Sequence, residues 1–262
     1  MWDNPARLPQ PRFSRRQRSD MLRKDDLQNG YHIFQDPDYF CFGVDAVLLA
    51  HFPKLKKGDR ILDMGTGFAP IPLILHAEAK KRGLDLPLTG LEIQEYPAQI
   101  AEESVVLNHL EDAIDIVRGD IKEAAKIFGA ASFSLITCNP PYMAAADGLV
   151  GESEQRAIAR TEVKCTLADV IREAAKCLVP GGRFAMIHRP FRLVEIFEEM
   201  RKNRLEPKRL RLICPYPDAE PTMVLVEGVR GGKPYLVTEP PLIIYQKDGS
   251  YTKELLHIYG RD

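Results

Sequence analysis

Regular alternation constrains this chain more than any other feature. Short apolar runs at residues 60–64, 88–93, 114–117, 133–138 and 184–188 are separated by stretches of helical periodicity that open at 70 and span 96–110, 121–128 and 167–178. Runs of roughly four to eight apolar residues suit strands covered on both faces. A helix between successive strands lets each one return parallel to the last. The pattern predicts an α/β fold with a mostly parallel, doubly wound sheet and helices on both faces. A basic amphipathic helix at 191–203 and two more runs, 209–214 and 222–227, bring the expected strands to seven. No long helix separates the last two runs, so an antiparallel strand is expected at the sheet edge. A strand-like tail at 240–245 follows Gly231-Gly232.

In sheets of this kind ligands bind beyond the carboxyl ends of the strands. The first strand ends in Asp63-Met64-Gly65-Thr66-Gly67, and Pro70 and Pro72 then open a helix. Proline is tolerated in a first helical turn, where its missing donor has no partner anyway. Such a turn brings bare backbone and helix-end N–H groups against a ligand. It is not a dinucleotide fingerprint, because Pro70 stands where the third glycine would be and an acid precedes the glycines. Asp63 suits a ligand that carries positive charge or amino and hydroxyl donors. Glu92 ends the second strand, where folds of this type bind a ribose diol. Asp120 follows the third strand, and either accepts from an adenine amine or caps the next helix. Asp45 begins a helical stretch at 44–52, as a dipole-compensating carboxylate or a ligand contact.

The fourth strand ends in Cys138-Asn139-Pro140-Pro141-Tyr142. Two prolines stop it by fixing φ and removing two donors. The turn therefore offers an amide, backbone carbonyls and a flat aromatic face on a stiff support, a set suited to an exocyclic amine on a planar group. The plainer reading is a strand stop with Tyr142 packed on the core.

Net charge is −1, but it is unevenly spread. Residues 1–24 carry seven Lys and Arg against two Asp and Glu, and 183–211 carry nine against four, so each is net +5, while 25–182 is net −9. The first stretch reads as a flexible basic arm, and either basic stretch is a candidate footprint for a polyanion. The five cysteines are scattered, odd in number and without metal-ligand spacing, so reduced thiols in a cytoplasm are expected, with neither disulfides nor a metal site. No run approaches the ~18 apolar residues of a membrane span, and no apolar secretory leader is visible.

Asp63-Met64-Gly65-Thr66-Gly67, Glu92, Asp120 and Asn139-Pro140-Pro141-Tyr142, in that order and each at a strand end, resemble the class I S-adenosylmethionine-dependent methyltransferases, in the branch that methylates amino or amide nitrogens. Further blocks at 42–50, 157–162, 180–190 and 220–228 resemble the bacterial tRNA(Val) adenine-N6 methyltransferases. The likeness spans residues 27–258. It implies a Rossmann-like methyltransferase sheet over 25–230, with 231–262 packed on the same domain. It also implies S-adenosylmethionine as cofactor, a tRNA substrate and adenine 37 as the target. The implied cofactor set is Asp45, Asp63, Gly65, Gly67, Glu92, Asp120 and Asn139. Asn139, Pro140 and Tyr142 are implied as catalytic, and Pro141, Tyr142, Arg156, Arg160 and Arg189 as substrate-binding. The chain departs from the family at Phe68-Ala69, where members usually carry Asn-Gly. A protein glutamine methyltransferase, a guanine-N2 rRNA methyltransferase and a non-catalytic RNA-binding module are the rival readings of the same turn.

Overall fold

All four residues of β3 (Ile61–Met64) are buried, as a strand covered on both faces must be. In the computed structural model, which describes residues 22–37, 39, 41–140 and 165–261, β3 lies between β4 (Leu88–Glu92) and β6 (Phe133–Cys138), parallel to both. β5 (Ile114–Arg118) extends the sheet beyond β4. On the other side β6 pairs in parallel with β7 (Leu178–His188). β9 (Met223–Arg230) is antiparallel to both β7 and β8 (Leu205–Cys214). β10 (Val237–Ile243) closes that edge, parallel to β8. The order is β10-β8-β9-β7-β6-β3-β4-β5.

The sheet thus has eight strands rather than seven, and its antiparallel strand is interior rather than at the edge. The expected tail strand supplies the eighth strand, and β9 is interior because it pairs with β7 on one side and β8 on the other. A β8–β9 hairpin leaves the outer side of β8 unpaired, and β10 pairs with it. The β10 register slips between Glu239 and Leu242, across Pro240-Pro241, which have no N–H to give to a ladder.

Helices cover both faces. α1 (Val44–His51), α2 (Pro70–Lys81) and α3 (Glu95–Leu107) share one core with Ile61 and Leu135. α4 (Ala124–Phe128), α5 (Leu167–Cys177) and α6 (Leu193–Lys202) share the other with Leu62, Met64, Ile136 and Cys138. The division follows the two-residue period of the strands. α5 starts at a capping box, with Thr166 and Asp169 satisfying each other's backbone N–H. α7 (Lys253–Ile258) packs near α1. At the opposite end from the site, Arg183 Nη2 lies 2.6 Å from Asp59 Oδ2, both buried, and Ser134 Oγ donates to Asp59 Oδ1 at 2.7 Å. This pair ties β7 and β6 to the turn before β3.

A separate antiparallel pair, β1 (Arg23–Asp26) and β2 (His32–Gln35), precedes α1. Ser104 of α3 and Asn108, its C-cap, accept from the backbone N–H groups of Phe34 and His32, at 3.0 and 2.8 Å. β1 therefore begins inside the stretch expected to be the arm, and residues 1–21 of that stretch lie outside the described residues. Among the described residues, no helix is long and apolar enough to cross a membrane, and all five cysteines are free thiols.

Candidate active site

The chain reverses direction across the sheet between β3 and β6, which run side by side though two strands come between them in sequence. A crevice at such a reversal is where open α/β sheets bind ligands. Asp63 is in register with Thr137, and Met64 with Cys138. The Thr137 hydroxyl donates to Asp63 Oδ1 at 2.7 Å. Asp63 Oδ2 is buried with no hydrogen-bond partner among the described residues. Burial pushes the Asp63 carboxyl up to about 6, against the pull of the Thr137 and Thr66 hydroxyls. An unsatisfied buried carboxylate oxygen at a crevice awaits a donor or a cation. Thr137 was missed by sequence reading, which took 133–137 simply as a strand.

The glycine turn leaves room for that ligand. Gly65 and Gly67 have φ of +75° and +56°, a region that favours glycine. A Cβ on Gly67 would meet nothing within 4 Å, and one on Gly65 only Ile121 Cδ1 at 3.7 Å. Open space therefore faces the bare backbone. Gly90 in β4 is required for a different reason, since its Cβ would come within 2.7 Å of Thr66. The Phe68-Ala69 departure keeps the turn: Ala69 takes up φ +65°, ψ +35° just before α2. A left-handed alanine costs about 1–2 kcal/mol, and packing holds it, with Phe68 buried edge-on against Tyr39 at 6.2 Å. Tyr39 also meets Tyr96 at 4.8 Å, and Tyr96 donates to Asp36 at 2.8 Å. This aromatic cluster beside the turn carried no motif.

Glu92 stands at the end of β4 and is buried. Its Oε2 accepts from Gly67 N–H at 2.9 Å and its Oε1 from Gln94 N–H at 2.8 Å. Burial raises its pKa, and the backbone donors of Gln94, Gly67 and Ile93 oppose the rise. The carboxylate keeps acceptor capacity for a ligand hydroxyl. Asp120 caps the turn that follows: its Oδ1 accepts from Lys122 N–H at 2.9 Å and its Oδ2 lies 3.5 Å from Lys122 Nζ.

Asn139 follows β6 directly. Its Nδ2 donates to Asp45 Oδ2 at 3.1 Å, while Asp45 Oδ1 accepts from Ala46 N–H at 2.9 Å. A carboxylate only accepts, so the nitrogen side of the amide must face Asp45. The Asn139 Oδ1 is turned the other way as a fixed acceptor. Asp45 therefore contacts the Asn-Pro turn through Asn139. Pro140 is buried beside it. Pro141, Tyr142, Arg156 and Arg160 lie outside the described residues. Arg189, just past β7, donates from Nη1 to the Thr222 carbonyl at 3.0 Å.

The second basic stretch is largely compensated. Arg183 pairs with Asp59, Arg192 with Glu195, Lys202 with Glu198 and Glu199, Arg209 with Glu227 and Glu239, and Arg211 with Glu254. Its sequence excess of charge is therefore not a bare cationic face. Among the described residues, no group of three or more His, Cys, Asp or Glu is arranged to hold a metal ion.

A switch-point crevice with an acid-and-glycine turn on one strand and an Asn-Pro turn on the next defines a class I methyltransferase core, and residues 43–203 match the methyltransferase small domain family. Within that class the chain belongs to the tRNA1(Val) (adenine(37)-N6)-methyltransferase family. It is 30% identical over 225 residues to the Porphyromonas gingivalis member, covering 82% of this chain and 86% of that one. With the Parabacteroides distasonis member it shares 29% over 198 residues, 75% and 80% of the two chains. Among solved structures, a predicted O-methyltransferase from Agrobacterium tumefaciens superposes with a TM-score of 0.64 at 25% identity, over 83% of this chain and 96% of that one. Geranyl diphosphate C-methyltransferase from Streptomyces coelicolor, solved with S-adenosyl-L-homocysteine, shares the fold at 15% identity and a TM-score of 0.53, over 71% and 80%.

Proposed function

We propose that this chain transfers a methyl group from S-adenosylmethionine to the exocyclic N6 amine of adenine 37 in the anticodon loop of tRNA1(Val), in the cytoplasm. The observation that carries the reading is the Asn139 amide, clamped through Nδ2 by Asp45 at 3.1 Å so that its oxygen is the acceptor. S-adenosylmethionine supplies an electrophilic methyl group. Asp63, the Gly65–Gly67 turn and Glu92 are suited to hold it, since they offer an unsatisfied buried carboxylate oxygen, bare backbone and a carboxylate with acceptor capacity left for a ribose hydroxyl.

An adenine amine is a poor nucleophile because its lone pair is delocalised into the ring. The Asn139 Oδ1 and the Pro140 carbonyl can each accept one of its N–H groups. Holding both hydrogens localises the lone pair and directs it out of the base plane. Tyr142 is assigned to stack on the base, and Pro141, Arg156, Arg160 and Arg189 to the RNA around it. No strong general base is needed, because the methylated amine sheds its extra proton after transfer. The acceleration comes from positioning and polar preorganisation, worth as much as ~7–11 kcal/mol in well-oriented cases. A paired base cannot reach such a pocket, whereas a loop base can be turned out.

The test is labelled-methyl transfer to total tRNA lacking modifications, followed by nucleoside digestion. Label in N6-methyladenosine supports the reading. Label confined to protein, to guanine or to no product refutes it.

A further inference from the structure

Four tyrosines form one row at the carboxyl edge of the sheet. Tyr216 follows the end of β8 and Tyr245 follows β10. Tyr251 returns across the Asp248-Gly249 turn, and Tyr259 follows α7. Ring centroids are 5.5 Å apart from Tyr216 to Tyr245, 5.4 Å from Tyr245 to Tyr251 and 6.3 Å from Tyr251 to Tyr259. The last two pairs are stacked, with interplanar angles of 21° and 8°. The Arg261 guanidinium lies 6.0 Å from the Tyr259 ring, and Lys247 is exposed on the turn between Tyr245 and Tyr251.

The row shares an edge with the candidate active site. β9 is antiparallel to both β7 and β8, so β8 runs the same way as β7 and β6, and β10 runs with β8. Tyr216 and Tyr245 therefore leave the sheet on the side where Asn139 does. At the inner end, Tyr259 lines a cavity together with Phe42 and Val47. Val47 belongs to α1, the helix whose Asp45 holds Asn139. The row leads from the outer edge of the sheet to the catalytic helix.

Core packing explains the inner contacts but not the exposed rings. Tyr216 is 44% exposed and Tyr251 39%. We propose that this row is a stacking platform for the unpaired nucleotides that flank the base being modified. The proposal rests on the reading of an RNA-loop substrate. A base turned out into a pocket leaves its neighbours without stacking partners. Flat aromatic faces replace that stacking regardless of sequence, and nearby cations receive the phosphates. Lys247 and Arg261 are placed for that second role.

The full chain is assayed first. If it labels no tRNA, the functional reading falls, independently of the platform. With an active wild type, Tyr216→Ala and Tyr251→Ala should each raise KM for unmodified tRNA about five- to a hundredfold, leave kcat within about twofold, and leave cofactor affinity by calorimetry unchanged. Tyr216→Phe and Tyr251→Phe should restore KM, because they keep the ring. A 4-thiouridine-substituted anticodon stem-loop should crosslink to one of these tyrosines in the wild type, a readout that needs no variant. An unchanged KM, a loss confined to kcat or cofactor affinity, an altered oligomeric state, Phe variants as impaired as Ala, or crosslinks only elsewhere would each overturn the platform.

Discussion

Asp45 and Asn139 are 94 positions apart in sequence and 3.1 Å apart at the site, with the amide nitrogen donating to the carboxylate. The contact sets the orientation of the amide, with its nitrogen toward Asp45. Removing the Asn139 acceptor should lower kcat by about 10²–10³, the size of effect seen when one preorganised polar group is removed from a catalytic site. Cofactor affinity should barely move, because the acceptor acts mainly on the amine. Asp45→Ala should lower kcat about tenfold or more with little change in cofactor affinity. Asp45→Asn keeps an oxygen for Asn139 and should retain most of the rate. Steady-state kinetics with calorimetry decide this. If Asp45→Ala impaired cofactor binding and turnover equally, Asp45 would be a cofactor ligand and not a positioning residue.

Asp63 carries a pH signature. Its carboxyl is raised from 3.8 to about 6, first by burial. The folded state then binds the proton more tightly than the unfolded one, so this group's contribution to stability falls as pH rises from about 4 to about 6, and is flat above. Asp63→Asn should therefore be more stable than wild type at pH 8, by up to about 2–3 kcal/mol. The gain should vanish below about pH 4. The same variant should bind S-adenosylmethionine more weakly, and wild-type affinity should drop as pH falls through about 6. Urea unfolding and calorimetry at pH 5 and 8 test both. A variant less stable than wild type at pH 8 would contradict the assignment.

The buried Asp59–Arg183 pair, at 2.6 Å, joins three strands at the far end of the sheet. Breaking one side strands the other charge. Arg183→Leu should cost about 3–5 kcal/mol. The double variant Asp59→Asn/Arg183→Leu should cost much less than the sum of the singles. Urea midpoints of the four proteins give the coupling, and strict additivity would mean the pair does not stabilise.

The basic stretch 183–211 spends most of its cations on internal acids. We propose that the footprint on tRNA lies instead in residues 1–21, where Arg7, Arg12, Arg15, Arg16 and Arg18 precede β1. Deleting residues 1–21 should weaken tRNA binding and flatten its salt dependence, by roughly 0.7–0.9 in slope for each phosphate that is no longer neutralised. Cofactor affinity should not change. Binding measured over a range of salt decides it, and an unchanged slope would place the footprint elsewhere.

Strand ends were legible because apolar runs announce where strands stop. Asp63, Glu92 and Asn139 could be placed at one edge from the sequence alone. What each side chain touches was not legible. The Thr137–Asp63 bond needs β3 and β6 to be neighbours, and strand order is not written in local periodicity. The interior place of β9 was missed for the same reason: it depends on β9 pairing with β7 as well as with β8. Asp120 offered two roles, and the geometry at Lys122 shows the cap. Charge counting put a cationic face on 183–211, because acids such as Asp59 and Glu254 are distant in the chain.

Thr137 and Asn139 sit two residues apart at the end of β6, one bonded to Asp63 and the other to Asp45. The donor side and the acceptor side of the reaction thus share a three-residue piece of rigid backbone. If occupancy on one side biases the other through that piece, thermodynamic linkage makes the effect equal in both directions. Whatever factor the cofactor adds to tRNA affinity, tRNA must return to the cofactor.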